Sequence, residues 1–197
     1  MRVRFAMLLA AACCAVAPRS RAVELKVSSG AIERTLVTQL FAKDAGRFYL
    51  RGNAHSGCYV YAESPQVKFA GDRVVVHLHV RARLGTSIRG ACLGIGLARD
   101  VDVSVAPDAE GETIGFRDAR IDKLSGSKEL DVLLMPFLIR KIPSSMKVNA
   151  ATQLRRLLTK SAETTGYEIE LDRLLVHSMS VQNGALLIDL DGEFGVN

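Results

Sequence analysis

Residues 73–84 alternate without a break. Val74, Val76, Leu78, Val80, Ala82 and Leu84 fall on one face, and Val75, His77, His79, Arg81 and Arg83 on the other. A period of two over this length is a strand with one face in a core, because successive strand side chains point to opposite sides of a sheet. Such a strand needs partners beside it and an apolar layer over its inner face. The partners are legible. Residues 59–69 read as a strand, joined to 73–84 across the hairpin pair Gly71-Asp72. Residues 98–105 repeat the alternation, with Val101, Val103 and Val105 inward and Asp100, Asp102 and Ser104 outward. Residues 113–124 give a fourth strand, bulged or bent near Asp118. Residues 167–171, 175–182 and 185–191 close the chain as strands, the last two flanking Asn183-Gly184, a strong hairpin signal.

Elsewhere the period is helical. In residues 31–43, Ile32, Leu36, Val37, Leu40 and Phe41 form one stripe, with Ser28 and Ser29 as caps and Gly46 as the stop. Residues 130–142 read as an apolar helix through Leu130, Leu133, Leu134, Phe137, Leu138 and Ile139, widened by Val132 and Met135. Pro136 fits only near its first turns or as a kink, and Pro143 breaks or kinks the path. Helix resumes over about 145–163, with Val148, Ala151, Leu154, Leu157 and Leu158 inward, and ends at Gly166.

Residues 1–22 have the layout of a secretory signal peptide: Arg2 and Arg4, then an apolar run over 5–17, then Ser20-Arg21-Ala22 with small residues at −3 and −1. The run is shorter than the ~20 residues a bilayer span needs. This makes 1–22 a leader and 23–197 a single domain, exported to the periplasm. Ala10-Ala11-Ala12-Cys13 also resembles a degenerate lipobox, so a lipoprotein anchored through Cys13 is the alternative. Cleavage removes Arg2, Arg4, Arg19 and Arg21 from 26 Lys+Arg, leaving 22 against 21 Asp+Glu. The basic balance is then largely a leader property, and a nucleic-acid partner loses its electrostatic footprint. Cys58 and Cys92 remain, and an even pair in an oxidising compartment suggests one disulfide. The 59–69/73–84 register puts Cys58 opposite about Gly85, at the end of the hairpin that Cys92 also reaches. Two buried free thiols are the alternative.

The order of leader, short helix, antiparallel strands, proline-interrupted apolar helix and closing hairpin resembles the YceB-like lipoproteins of the DUF1439 class, and more broadly the tubular lipid-binding superfamily. Residues 27–40 (VSSGAIERTLVTQL) resemble the opening helix of that family, 130–158 its long central helix, and 181–192 (VQNGALLIDLDG) its closing hairpin. The resemblance implies an α+β fold in which a curved antiparallel sheet wraps around a long, proline-interrupted helix, with a short N-terminal helix. It also implies an apolar groove able to hold acyl chains.

Motifs for catalysis are sparse. His77 and His79 share a strand face and could both reach a metal, but no third ligand is near in sequence, and Arg81 and Arg83 would repel a cation. They read as a solvated face. S-x-x-K occurs at Ser125/Lys128 and Ser144/Lys147 without the companion motifs of penicillin-recognising enzymes. Gly90, Gly94 and Gly96 do not form a dinucleotide fingerprint and read as a loop entering a strand. Asp100/Asp102, Glu168/Glu170 and Asp189/Asp191 read as outward faces rather than catalytic pairs. With no Trp and 6% aromatics, a stacking platform is poorly supplied. The expectation is a non-catalytic protein without a cofactor or metal that binds a lipid or acyl chain, with possible membrane association. Its groove is assigned to Leu133, Leu134, Phe137, Leu138, Leu154 and Leu158, with Arg140 and Lys141 at the rim. The rivals are an envelope interaction protein with a dry core and a small serine hydrolase.

Overall fold

The structure, a computed structural model, describes residues 23–124 and 146–196, with Pro136 and Ile139 between them. The leader expected over 1–22, most of the apolar helix expected over 130–142, Ser125, Lys128, Arg140, Lys141 and Ser144 lie outside the described residues. So do four of the expected groove residues: Leu133, Leu134, Phe137 and Leu138. Among the described residues the order is β1 (Val23–Val27), α1 (Ser29–Leu40), β2 (Phe48–Arg51), β3 (Tyr59–Ala70), β4 (Arg73–Ile88), β5 (Ala91–Glu110), β6 (Thr113–Leu124), β7 (Val148–Asn149), α2 (Ala150–Thr165), β8 (Ile169–Gln182) and β9 (Ala185–Val196).

The strands form two antiparallel sheets, β1-β9-β8 and β2-β3-β4-β5-β6-β7. They curl as a half-barrel around one main core. The alternation of 73–84 sets that core. Val74, Val76, Leu78, Val80 and Ala82 are buried, and they meet Val101, Val103 and Val105 on β5 in a ladder unbroken from Val74↔Val105 to Ile88↔Ala91. Ile32 and Leu36 of α1 and Val176, Val181, Leu186 and Ile188 of the smaller sheet complete it. The expected turns form. Gly71-Asp72 joins Ala70 to Arg73, and Asn183-Gly184, both at positive φ, join β8 to β9 as a type I′ pair. Asp118 also sits at positive φ where the β5–β6 register slips, which is the expected bulge.

The expected α+β fold, a curved sheet wrapped around a long proline-interrupted helix, is corrected to a mostly β fold. Two facts overturn it. The strands are longer than their alternating cores: β4 has 16 residues and β5 has 20, so Gly94 and Gly96 lie within a strand rather than a loop, and Gly90 is in the turn that precedes it. And α2 is a separate, shorter helix. Val148 and Asn149 pair with Ile114 and Thr113 as a strand, and the Asn149 side chain accepts the Thr152 N–H at 2.7 Å, starting the helix after 149 rather than near 145. Its inner residues pack on Leu171 and Leu174 of β8, apart from the main core. The turn between β5 and β6 ties these parts together. The Gly111 carbonyl accepts Val176 N–H at 2.9 Å, and the Glu112 carbonyl accepts Ala150 N–H at 2.8 Å.

Candidate functional site

The helix α1 is fixed at both ends. The Ser28 hydroxyl accepts the Ala31 N–H at 3.3 Å, and the Phe41 N–H closes the last turn on the Leu36 and Val37 carbonyls. Midway, the Glu33 carboxylate accepts the Val67 N–H of β3 at 2.9 Å, beside the register shift of that strand. Held so, α1 turns Ile32 and Leu36 toward the gap between the two sheets without filling it. A cavity of about 250 Å³ remains. Its opposite walls are Ile114 and Phe116 of β6, Met146, Met179 of β8, and Leu186 and Ile188 of β9. Thr35 and Gln39 bring the only polar side chains to the lining among the described residues. The Thr35 hydroxyl already donates to the Ala31 carbonyl at 2.9 Å. The site can therefore take an apolar body from water and offers it little to hydrogen-bond. Two methionines in its wall allow the shape to adjust.

The expected groove residues Leu154 and Leu158 lie elsewhere. They are half-buried under α2 against Ala151, Leu171 and Leu174, and Leu158 borders a more polar surface cleft with Arg155 and Asp172. The structure does not bring them to the cavity under α1. The cavity walls were missed because they come from elements far apart in sequence. Only the α1 stripe carried a local signal, and such a stripe reads equally as core.

The outer face of the larger sheet is a ladder of charges. His77 and Asp102 stand opposite each other with Nδ1 2.6 Å from Oδ1, and Lys68 donates to the second carboxylate oxygen at 3.1 Å. One step along, His79 and Asp100 repeat the pairing at 2.8 Å. Burial alone would push the Asp102 carboxyl up, but the hydrogen bonds from His77 and Lys68 hold it below the usual carboxylate range. The His79 hydrogen bond does the same for Asp100, and Arg120 with Arg73 does so for Asp118. Ser104, expected outward, is fully buried because the Arg73 guanidinium lies over it and donates to its hydroxyl at 3.0 Å. Three of the four tyrosines gather on this face. The Tyr49 and Tyr59 rings pack on Tyr61, whose own ring carries the Arg47 guanidinium at 5.0 Å. Burial raises the Tyr61 phenol. These rings cover one another instead of presenting an open stacking surface. Among the described residues no group of three His, Cys, Asp or Glu could hold a metal ion.

No family model, curated protein or solved structure matches the chain. Among the described residues no helix is long and apolar enough to cross a membrane. The expected disulfide is present: Cys58 and Cys92 are bonded with their Cα atoms 5.0 Å apart. It follows from the register, since Tyr59 pairs with Arg83 and Cys92 with Ser87 near the same end of the sheet.

Proposed function

We propose that this is an exported, non-catalytic protein that holds an acyl chain or similar apolar ligand in the cavity between α1 and the two sheets. The observation that carries the reading is the lining: an unfilled space of about 250 Å³, near the small end of ligand pockets, walled almost wholly by aliphatic, methionine and phenylalanine side chains. Each CH2 moved from water into such a space contributes about 0.8 kcal/mol, so binding needs no polar motif. The resemblance of residues 27–40 and 181–192 to the YceB-like and tubular lipid-binding proteins points to the same ligand class. It adds through ligand chemistry alone, because the helix-wrapping fold it implied does not hold. Export is supported by the leader-like 1–22 and by the disulfide, which suits an oxidising compartment.

The test is mass spectrometry of the exported protein purified without detergent, under native conditions and after organic extraction, followed by titration with a fluorescent fatty acid. Thr35→Phe plugs the mouth from an exposed helical position. Expected are a stoichiometric apolar ligand or saturable fatty-acid binding in the parent, weakened about tenfold by T35F at unchanged fold. No extractable ligand and no fatty-acid binding would overturn the reading in favour of an envelope interaction protein with a dry core. The intact mass also separates a chain starting at Val23 from one acylated at Cys13.

A further inference from the structure

The β4–β5 hairpin continues past the body of the protein. Beyond Ala82↔Leu97 the pairs Leu84↔Ile95, Thr86↔Leu93 and Ile88↔Ala91 keep the same facing as the buried valines, so the apolar face of the core runs on into an arm. There it is uncovered: Ile88 is 49%, Leu93 63% and Ile95 48% exposed. The other face of the arm is braced. Cys92 is bonded to Cys58, and Gly57 comes so close to the tip that a Cβ there would stand 2.3 Å from the Gly90 carbonyl oxygen. The arm is thus a held element presenting one apolar face.

Its charge is one-sided. Residues 81–99 contain Arg81, Arg83, Arg89 and Arg99 and no acidic residue. Arg81 is paired with Glu63 at 3.0 Å. Among the described residues no carboxylate pairs with Arg83, Arg89 or Arg99.

We infer that residues 84–95, with Arg83 and Arg99 at their base, form a docking arm for an anionic lipid surface. Ile88, Leu93 and Ile95 need hydrocarbon, and the arginines around the arm, Arg89 in the tip turn, Arg83 on the opposite face and Arg99 at the base, need phosphate; the boundary of an anionic bilayer supplies both. Arginine stems lie along apolar surface while the guanidinium reaches out, and the fork fits phosphate oxygens. The reach is adequate. At about 3.4 Å per residue the four steps from Leu84 to Ile88 cover roughly 14 Å, against the ~5–10 Å depth of an interfacial element. A second copy of the chain fits less well, because in a two-fold contact the arm meets itself, and residues 81–99 hold no carboxylate to pair with the arginines. The inference stands apart from the cavity, whose walls at Ile114 and Phe116 lie opposite Ala109 and Pro107, toward the other end of β5.

The chain has no Trp, so Leu93→Trp in the disulfide-bonded protein makes a single-site reporter. Phosphatidylcholine vesicles with and without phosphatidylglycerol are titrated at low and high salt. Expected are a blue shift and co-sedimentation with the anionic vesicles, weakened by salt. The double change Arg83→Glu/Arg89→Glu lowers partitioning by about tenfold or more, and Leu93→Asp in the parent chain lowers it comparably. T35F leaves it unchanged, which separates failure of this inference from failure of the cavity reading. Equal partitioning into neutral and anionic vesicles overturns the inference, as does binding that L93D does not disturb. So does absence of vesicle binding, whether the chain stays monomeric or forms an oligomer that L93D dissolves.

Discussion

The two halves of the β4–β5 hairpin carry the same pattern and meet different fates. In the body, Val74, Val80, Val101, Val103 and Val105 are fully buried. In the arm, Ile88, Leu93 and Ile95 occupy the same face of the same ladder and stand about half or more exposed. Alternation decides which face is apolar. What covers that face is decided elsewhere in the chain: α1 and the smaller sheet reach the body, and the arm extends past them. The contrast assigns different work to similar residues, stability in the body and surface contact in the arm.

The largest expected effect tests what holds the arm in place. The Cys58–Cys92 bridge closes a separation of 34 residues, and in the chain-entropy model such a loop is worth about 3–4 kcal/mol. Cys58→Ser/Cys92→Ser should lower the unfolding free energy by roughly that amount in urea titration. Hydrogen exchange should accelerate at Gly90–Cys92 more than at Val101–Val105, since only the arm loses its brace. Equal acceleration in both halves would mean that the arm and body open together and are not distinct.

Val103→Ala in the body should cost about 2–3 kcal/mol, as truncation of a fully buried aliphatic side chain leaves a cavity among rigid neighbours. This is the part of the molecule most legible in the sequence, because β4, its hairpin turn and its β5 partner are local patterns whose register follows from one another. The disulfide was legible for the same reason, as a consequence of register. The outer face was misread at Asp102 and Ser104, which alternation places in water. Long basic side chains from other strands of the sheet cover them: Lys68 reaches across β4 to Asp102, and Arg73 lies over Ser104. The long helix failed because Asn149 starts a new cap, a competing signal in one side chain. The cavity could not be read locally, since Ile32, Ile114, Met179 and Leu186 meet only after both sheets close.

A smaller effect lies on the back of the body. Asp102→Asn removes the charge-assisted bonds from His77 and Lys68, and with both partners partly exposed the expected cost is about 1–2 kcal/mol. Its pH dependence has a fixed sign. The folded carboxyl titrates below its unfolded value of about 3.9, so its contribution is complete above that pH and fades as pH falls through the depressed value. Asp100 and Asp118 act in the same direction. Unfolding midpoints of parent and variant should therefore differ at neutral pH and converge in acid. A gap that persists below the depressed value would place the effect in packing instead of charge.

The smallest effect is the most discriminating. Ile88→Ser/Leu93→Ser removes two large apolar side chains from the ladder that includes Val103, yet should move stability by no more than about 0.5 kcal/mol, because those side chains already face solvent. The same variant should lose attachment to anionic vesicles. If it costs as much as Val103→Ala, the arm is covered in solution, and the two halves are one core seen without part of its cover. If stability is unchanged and vesicle attachment is lost, the apolar face of the arm acts only when a surface meets it. An identical alternation then serves folding at one end of the hairpin and docking at the other.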